Sequence, residues 1–426
     1  MKATEIAALS GELRRYLERF AASFRTRNGR EHFRAYVEGQ LGPLERKSIE
    51  PMADAAGIPM RSLNQFLSQV RWDEDAVRDQ LQRIVAAEHR GAENVLILDE
   101  SGFPKKGAET ACVQRQYCGA SGKIDNCVVG VFAAFAAGDF HTLIDGALYV
   151  PKDTWAEKPR RREKAGIPED VTYRPIHEIG LELVRRAKQN GVPIDWVVTD
   201  ERYAEVPAFL TGLEEEGLHY VLEVPRGFSG WTQRPPTHAG DEDARLARIL
   251  ADAPRPQSVS SLTEAGATLA RKPFTAYHVK DTFKGPEVWE ARECAFFHHR
   301  SGRVSGRLRL IHMRHVLDKT EKYFVTNAPA DVPIETILRV ALTRWRVERC
   351  FEDSKGEIGL DHFEVRGYGS IKRHLVLSLV SHLFLARQKA RIGGEKALRH
   401  RVPAQARGGG PPACSRPGPK GTHAAA

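Results

Sequence analysis

Between residues 94 and 225 the chain alternates apolar runs with turn signals in an order that few folds can accommodate. "NVLILDESG" is a short apolar run ending in an acid, and "CVVGVFAAFAAG" and "HTLIDGALYV" are strand-like runs separated by a Gly-Asp turn. Three consecutive strands joined by short turns predict antiparallel pairing. "IHEIGLELVRRAKQNG" follows as an amphipathic helix closed by Gly191, then "IDWVVTDERY" as a buried strand ending in another acid. A helix, "AEVPAFLTGLEEEG", and a strand, "HYVLEV", complete the segment. The order is therefore β-β-β-α-β-α-β, an antiparallel meander followed by alternating units.

This order resembles the ribonuclease H-like sheet, so the fold class expected is α+β, a mixed sheet flanked by helices, over residues 91–225 and 321–392. Residues 226–320 interrupt it with "RPPTHAGDEDARLARILADAPRPQSVSS", rich in Pro, Ser and Gly, and strands are expected around "FTAYHV" and "RVSGRLRLIHM". We read an inserted subdomain there. Residues 1–90 show apolar residues at helical spacing in four segments and predict an all-α domain. Within it "MADAAGIPMRSLNQFLSQV" has the cadence of a helix-turn-helix, with Gly57 at the turn and Arg61, Asn64 and Gln65 early in the second helix; a plain helical hairpin fits equally. "YFVTNAPADVPIETILRVALTRWRVERCFEDSKG" reads as a strand and one long helix, with Asp331 as N-cap, Pro333 in the first turn and Gly356 at the end. The apolar helix "IKRHLVLSLVSHLFLARQKA" packs on the core, and residues 393–426 are expected to be a disordered tail.

The partner class follows from charge. Of 426 residues 28% are charged, in both signs, and the formal net charge is +9, which suits a folded protein that binds a polyanion, nucleic acid first. Six cysteines lack the paired spacing of a zinc site and are too sparse for a disulfide scaffold, so a reducing cytoplasm is expected. No apolar run approaches the roughly 20 residues of a membrane span.

Asp99 and Asp200 each end an apolar run, which places both at the carboxyl ends of strands that the topology makes neighbours. Either alone is an ordinary turn or N-cap residue. Together, unpaired carboxylates a few ångströms apart raise each other's pKa and cost stability, a conflict that a divalent metal removes. On the late helix, offsets of four and eleven residues bring Arg344, Glu348 and Lys355 within about 40° of one another. Helical geometry alone leaves a salt-bridged solvent face as good a reading as a functional one.

The string "RWRVERCFEDSK" resembles the signature Tyr-x-x-Arg-x-x-x-Glu-x-x-x-x-x-x-Lys of insertion-sequence DDE transposases, with Arg344, Glu348 and Lys355 in order and spacing and Ala341 at the tyrosine position. "DESGFPKKG", "QRQYCGASGK" and "RCFEDSKGEIGLDHFEVRGY" are similar to the insertion-sequence 701 group. The resemblance implies that Asp99, Asp200 and Glu348 are the catalytic acids and hold two Mg²⁺ ions, with Mn²⁺ able to substitute. It also implies that Arg344 and Lys355 hold the scissile strand by its phosphates. Lys105 and Lys106 are further candidate DNA contacts, as are Arg160, Arg161 and Arg162 in "KPRRREK"; solvated loop charges are the alternative. Glu352, one turn beyond Glu348, competes for the third acid, but spacing to Lys355 favours Glu348. Asp353 is expected on the surface, and Glu100 on the opposite side of its strand from Asp99. Trp231 and Trp289 belong to the core or stack on a flipped base.

The implied activity is a transposase that binds double-stranded DNA at the terminal inverted repeats of its element, cuts there and joins the ends to a target site. A homodimer on DNA is the expected active form. The rivals are an inactive or repurposed DNA-binding copy and a stand-alone nuclease of the same fold.

Overall fold

The computed structural model describes residues 3–91, 93–241, 245–282 and 285–400. The amino-terminal segments form helices α1 (Ala3–Glu18), α2 (Arg27–Leu41), α3 (Ile49–Ala55), α4 (Met60–Ser68) and α5 (Glu74–Glu88). Local chemistry starts two of them: Thr26 accepts from the Gly29 amide at the head of α2, and Asp73 from the Ala76 amide at the head of α5. Gly57 turns the chain between α3 and α4 at φ +65°, a conformation that only glycine adopts without strain.

The apolar runs become β1 (Val95–Pro104), β3 (Lys123–Ala137), β4 (Phe140–Leu148), β5 (Trp196–Thr199) and β6 (His219–Glu223). β1 pairs antiparallel with β3, and β3 with β4, as the short turns predict. β5 runs parallel to both β1 and β6. The resulting order, β4-β3-β1-β5-β6, is the expected ribonuclease H-like sheet. One further strand, β2 (Gln114–Cys118), hairpins onto the start of β3. It escapes sequence reading because its residues alternate between partly buried and exposed and contain no apolar run. Helices α6 (Pro159–Ala165), α7 (Ile176–Gln189), α8 (Glu201–Ala204) and α9 (Pro207–Glu215) connect the strands.

The segment after β6 carries the short elements β7 (Ser229–Trp231), β8 (Leu246–Arg248), β9 (Gln257–Ser258) and α10 (Val259–Thr263). It continues into β10 (Thr275–Thr282), β11 (Gly285–Arg300), β12 (Arg303–Ser305), β13 (Leu308–His315) and β14 (Glu321–Thr326). β14 pairs antiparallel with β6, β13 with β14 and β11 with β13, so the inserted residues prolong the central sheet. An open β6 edge would present unpaired backbone groups, and this pairing satisfies them. Trp231 and Trp289 are both buried, with their indole N–H groups bonded to Pro254 O and Glu287 Oε1. Core packing is thus the role the structure gives these two rings.

The late helix is not continuous. α11 (Ile334–Ala341) begins after Pro333, so Asp331 does not cap it. A 3-10 turn at Leu342–Arg344 separates α11 from α12 (Trp345–Asp353), and a wide π-type turn, Ser354–Ile358, ends at Gly359, whose φ of +74° closes it in place of Gly356. α12 seats on the sheet through Val347, Cys350 and Phe351, the last packing edge-on against Phe132 of β3 with ring centroids 5.4 Å apart. Phe132 lies opposite Gly146 of β4, where a Cβ would come within 2.6 Å of the ring. That glycine makes room for the aromatic pair that fixes the height of α12.

α13 (Tyr368–His400) runs between the sheet and the amino-terminal helices. Tyr16 donates to Val380 O, Gln40 to Ser378 Oγ, and Thr142 of β4 bonds His382 Nδ1. Met1–Arg387 cluster as one compact unit, and the part of α13 from Gln388 belongs to a second. The helix continues through residues 393–400, where a disordered tail is expected; residues 401–426 lie outside those described.

Candidate active site

In the parallel part of the sheet Ile97 lies opposite Val198, and Thr199 opposite Leu222. Continuing these registers brings Asp99, Asp200 and Glu223 level with side chains on one face; Asp200 follows the end of β5 and Glu223 ends β6, but Asp99 does not end its strand as expected, because β1 runs on to Pro104 against β3. Sequence reading finds the first two. Glu223 was missed although "HYVLEV" carries the same signal, an apolar run that ends in an acid.

Asp99 Oδ1 accepts from the Glu100 amide at 2.8 Å, and its Oδ2 faces Arg344 Nη1 at 3.4 Å. Burial pushes its carboxyl up to about 7; Glu100 and Asp200 add to the rise, and Arg344 opposes it. Asp200 caps α8, its Oδ1 accepting from the Arg202 amide at 3.1 Å. Capping uses one oxygen and leaves the other for a ligand.

Arg344 is the hub. Its Nη2 donates to Glu348 Oε1 at 2.9 Å, its Nη1 faces Asp99, and its Nε lies 3.9 Å from Glu223 Oε2. Lys322 of β14 holds Glu223 more closely, at 2.8 and 3.0 Å from its two oxygens. The guanidinium thus ties the acid of α12 to the acids of the sheet. Glu352 instead pairs with Arg349, outside this network. Trp345, next to Arg344, is exposed, with Lys280 Nζ 4.7 Å from its ring centre.

Two expectations, for Asp353 and Lys355, are corrected. Asp353, the last residue of α12, is buried and lies 3.6 Å from Arg349 Nε, one turn earlier. Glu100 follows Asp99 in an unbroken stretch of β1, so alternation keeps their side chains on opposite faces; it is largely buried, Arg202 Nη1 donates to its Oε2 at 2.9 Å, and burial raises its pKa with Asp200 adding to the rise. Lys355 lies beyond the end of α12 and so does not share a helix face with Glu348; its Nζ donates to Gly102 O at 3.3 Å.

The remaining basic candidates divide. Lys105 donates to Asp361 O and Phe363 O and sits 3.4 Å from the Phe363 ring centre; burial pushes its pKa down to about 8. Arg161 bonds Thr154 O and Ala108 O and stacks on Trp155. Arg162 donates to Ala156 O, Pro168 O, Glu169 O and Val171 O. These three hold loops in place, whereas Lys106 and Arg160 are exposed.

The donor set suits a hard divalent cation: Asp99 and Asp200 are level, and the Asp99 pKa is raised first by burial and then by Glu100 and Asp200, with Arg344 opposing only in part. Among the described residues no three His, Cys, Asp or Glu side chains close into a metal-holding group. Glu348 bonds Arg344. No helix of the described residues is long and apolar enough to cross a membrane.

Residues 19–286 match the model of a family described as DDE superfamily endonuclease, a span that contains Asp99 and Asp200 but ends before α12. Over 198 residues the chain is 30% identical to a Microchaete diplosiphon protein described as a probable transposase for insertion sequence element IS701. That alignment covers 46% of this chain and 48% of the relative, so the chain spans about half the length of the relative it matches.

Proposed function

The chain belongs to the DDE superfamily endonucleases, and from that premise we propose that it is a transposase acting on the terminal inverted repeats of an insertion sequence. The observation that carries this reading is the level pair Asp99 and Asp200, joined through Arg344 to Glu348. The similarity to the IS701 protein supports a transposase over a general nuclease.

In this reading Asp99, Asp200 and Glu348 hold the divalent ions on which the superfamily's chemistry depends, two Mg²⁺ with Mn²⁺ able to substitute. When bound there, such ions would supply activation of the attacking oxygen and stabilisation of the leaving oxygen. Arg344 lies between the acids and within reach of a phosphate, so it takes up the scissile strand as it leaves Asp99. Lys355, anchored at Gly102 O, keeps donors for the same backbone. Lys106 and Arg160 extend the phosphate track, and Lys105, Arg161 and Arg162 support it through the loops they hold. Cutting two ends together calls for a homodimer on DNA.

The decisive experiment is single-turnover nicking of a duplex that carries the element's own inverted repeat, with and without Mg²⁺. Mg²⁺-dependent nicking at the repeat end followed by joining to a second duplex is expected. Binding without nicking would indicate a DNA-binding copy, a reading that Ala341 at the signature's tyrosine position favours. Equal cutting of random duplex would indicate a nuclease without end specificity.

A further inference from the structure

The hairpin formed by β2 and the start of β3 has no part in the site described above. Tyr117 and Ile124 face each other across it, 60% and 62% exposed. Arg115 lies on the same face by strand alternation, and Lys123 stands at the tip; both are exposed, and no hydrogen bond or ion pair among the described residues engages either side chain. The turn, Gly119-Ala120-Ser121-Gly122, carries no side chain larger than serine, and Gly122 at φ +64° keeps it narrow. Asp125, the hairpin's one acid, pairs with Gln116 and so belongs to the opposite face.

The root of the hairpin adjoins the candidate site. Cys118 packs so closely on Gly102 that a Cβ there would lie 2.7 Å from Sγ, and the Gly102 carbonyl receives Lys355 Nζ. We propose that the hairpin is a second contact for duplex DNA: Tyr117 and Ile124 lie against the minor groove beside the candidate site, and Arg115 and Lys123 bind the flanking phosphates. The proposal rests on the DNA-processing reading and adds to it the surface that holds the duplex outside the site. Two apolar side chains fall far short of the roughly 800 Å² per partner of a stable protein interface. Arg115, with no acid on its face, and Lys123 at the tip, on the face of Asp125, set two cations against the hairpin's single acid, a balance that complements a polyanion instead.

The experiment is fluorescence anisotropy of the full chain with a labelled 30-base-pair duplex of random sequence in EDTA, titrated across salt concentration. Arg115→Gln with Lys123→Gln should lower the slope of log affinity against log salt by about two. Tyr117→Ser with Ile124→Ser should weaken binding on the order of tenfold at fixed salt and leave the slope unchanged. Wild-type protein that does not bind duplex at all defeats the broader DNA reading. Wild-type binding that both double variants reproduce overturns the hairpin alone. A dimer that dissociates on Tyr117→Ser with Ile124→Ser, with duplex binding intact, also overturns it and assigns the patch to a second copy of the chain.

Discussion

Arg344 and Asp99 lie 3.4 Å apart, Nη1 to Oδ2, across 245 residues of sequence, and the same guanidinium reaches Glu348 at 2.9 Å. Helix α12 is therefore registered on the acids of the sheet by a cation that any metal bound there would have to share them with.

This sharing predicts a split effect for Arg344→Ala. Removing the competing cation should tighten Mn²⁺ binding to the protein alone severalfold, read by electron paramagnetic resonance, while duplex affinity falls. Weaker Mn²⁺ binding in the variant would mean that Arg344 organises the acids more than it competes for them.

Glu348→Gln should reduce repeat-end nicking on the order of 100-fold or more while leaving duplex binding intact. Glu352→Gln, which loses only its pair with Arg349, should nick like wild type. Retained nicking in Glu348→Gln would transfer the role to Glu352.

The Asp99 carboxyl titrates at about 7 in the folded protein against an ordinary value of 3.8. Because the folded state holds the proton more tightly, this group's stabilising effect is complete below about pH 4 and is lost as pH rises toward 7. Metal-free Asp99→Asn should therefore be more stable than wild type at pH 8, by on the order of a few kcal/mol, and unfold at a higher temperature. Differential scanning fluorimetry decides; equal melting of the two proteins at pH 8 would remove the argument for uncompensated charge.

His374 is buried in α13, where Tyr36 bonds its Nδ1 at 2.7 Å and Leu360 O lies 3.1 Å from its Nε2. Burial pushes its pKa down to about 4, so the unfolded chain binds the extra proton first. Stability should be full above pH 6.5 and decline as pH falls toward 4, at up to about 1.4 kcal/mol per pH unit for this residue. His374→Leu should lower stability at pH 7 but flatten the acid limb by that one proton, as urea midpoints measured from pH 4 to 7 would register.

Much of the site was legible because an acid that closes an apolar run is a local signal, although β1 runs on past Asp99. "LILDE" and "VVTDE" place Asp99 and Asp200 without reference to anything distant, and the same rule applied to "YVLEV" would have found Glu223. The charged helix could not be read that way. Arg344, Glu348 and Lys355 share a direction only on an uninterrupted helix, and the chain departs from one on both sides of α12. The basic residues were also beyond local reading, since exposed and loop-holding arginines look alike in "KPRRREK". Carbonyl groups of Thr154, Ala108 and Pro168 claim Arg161 and Arg162, and no composition rule announces that.

The sequence by itself determined the strand order, the two aspartates and the family signature, since alternation, turn residues and motif spacing are written in consecutive positions. Tertiary structure alone decided that the inserted strands extend the sheet and that Arg344 joins acids from three elements. It also decided which lysines and arginines remain free. Those outcomes depend on which surfaces meet, and burial and charge compensation are settled only when distant segments are brought into contact.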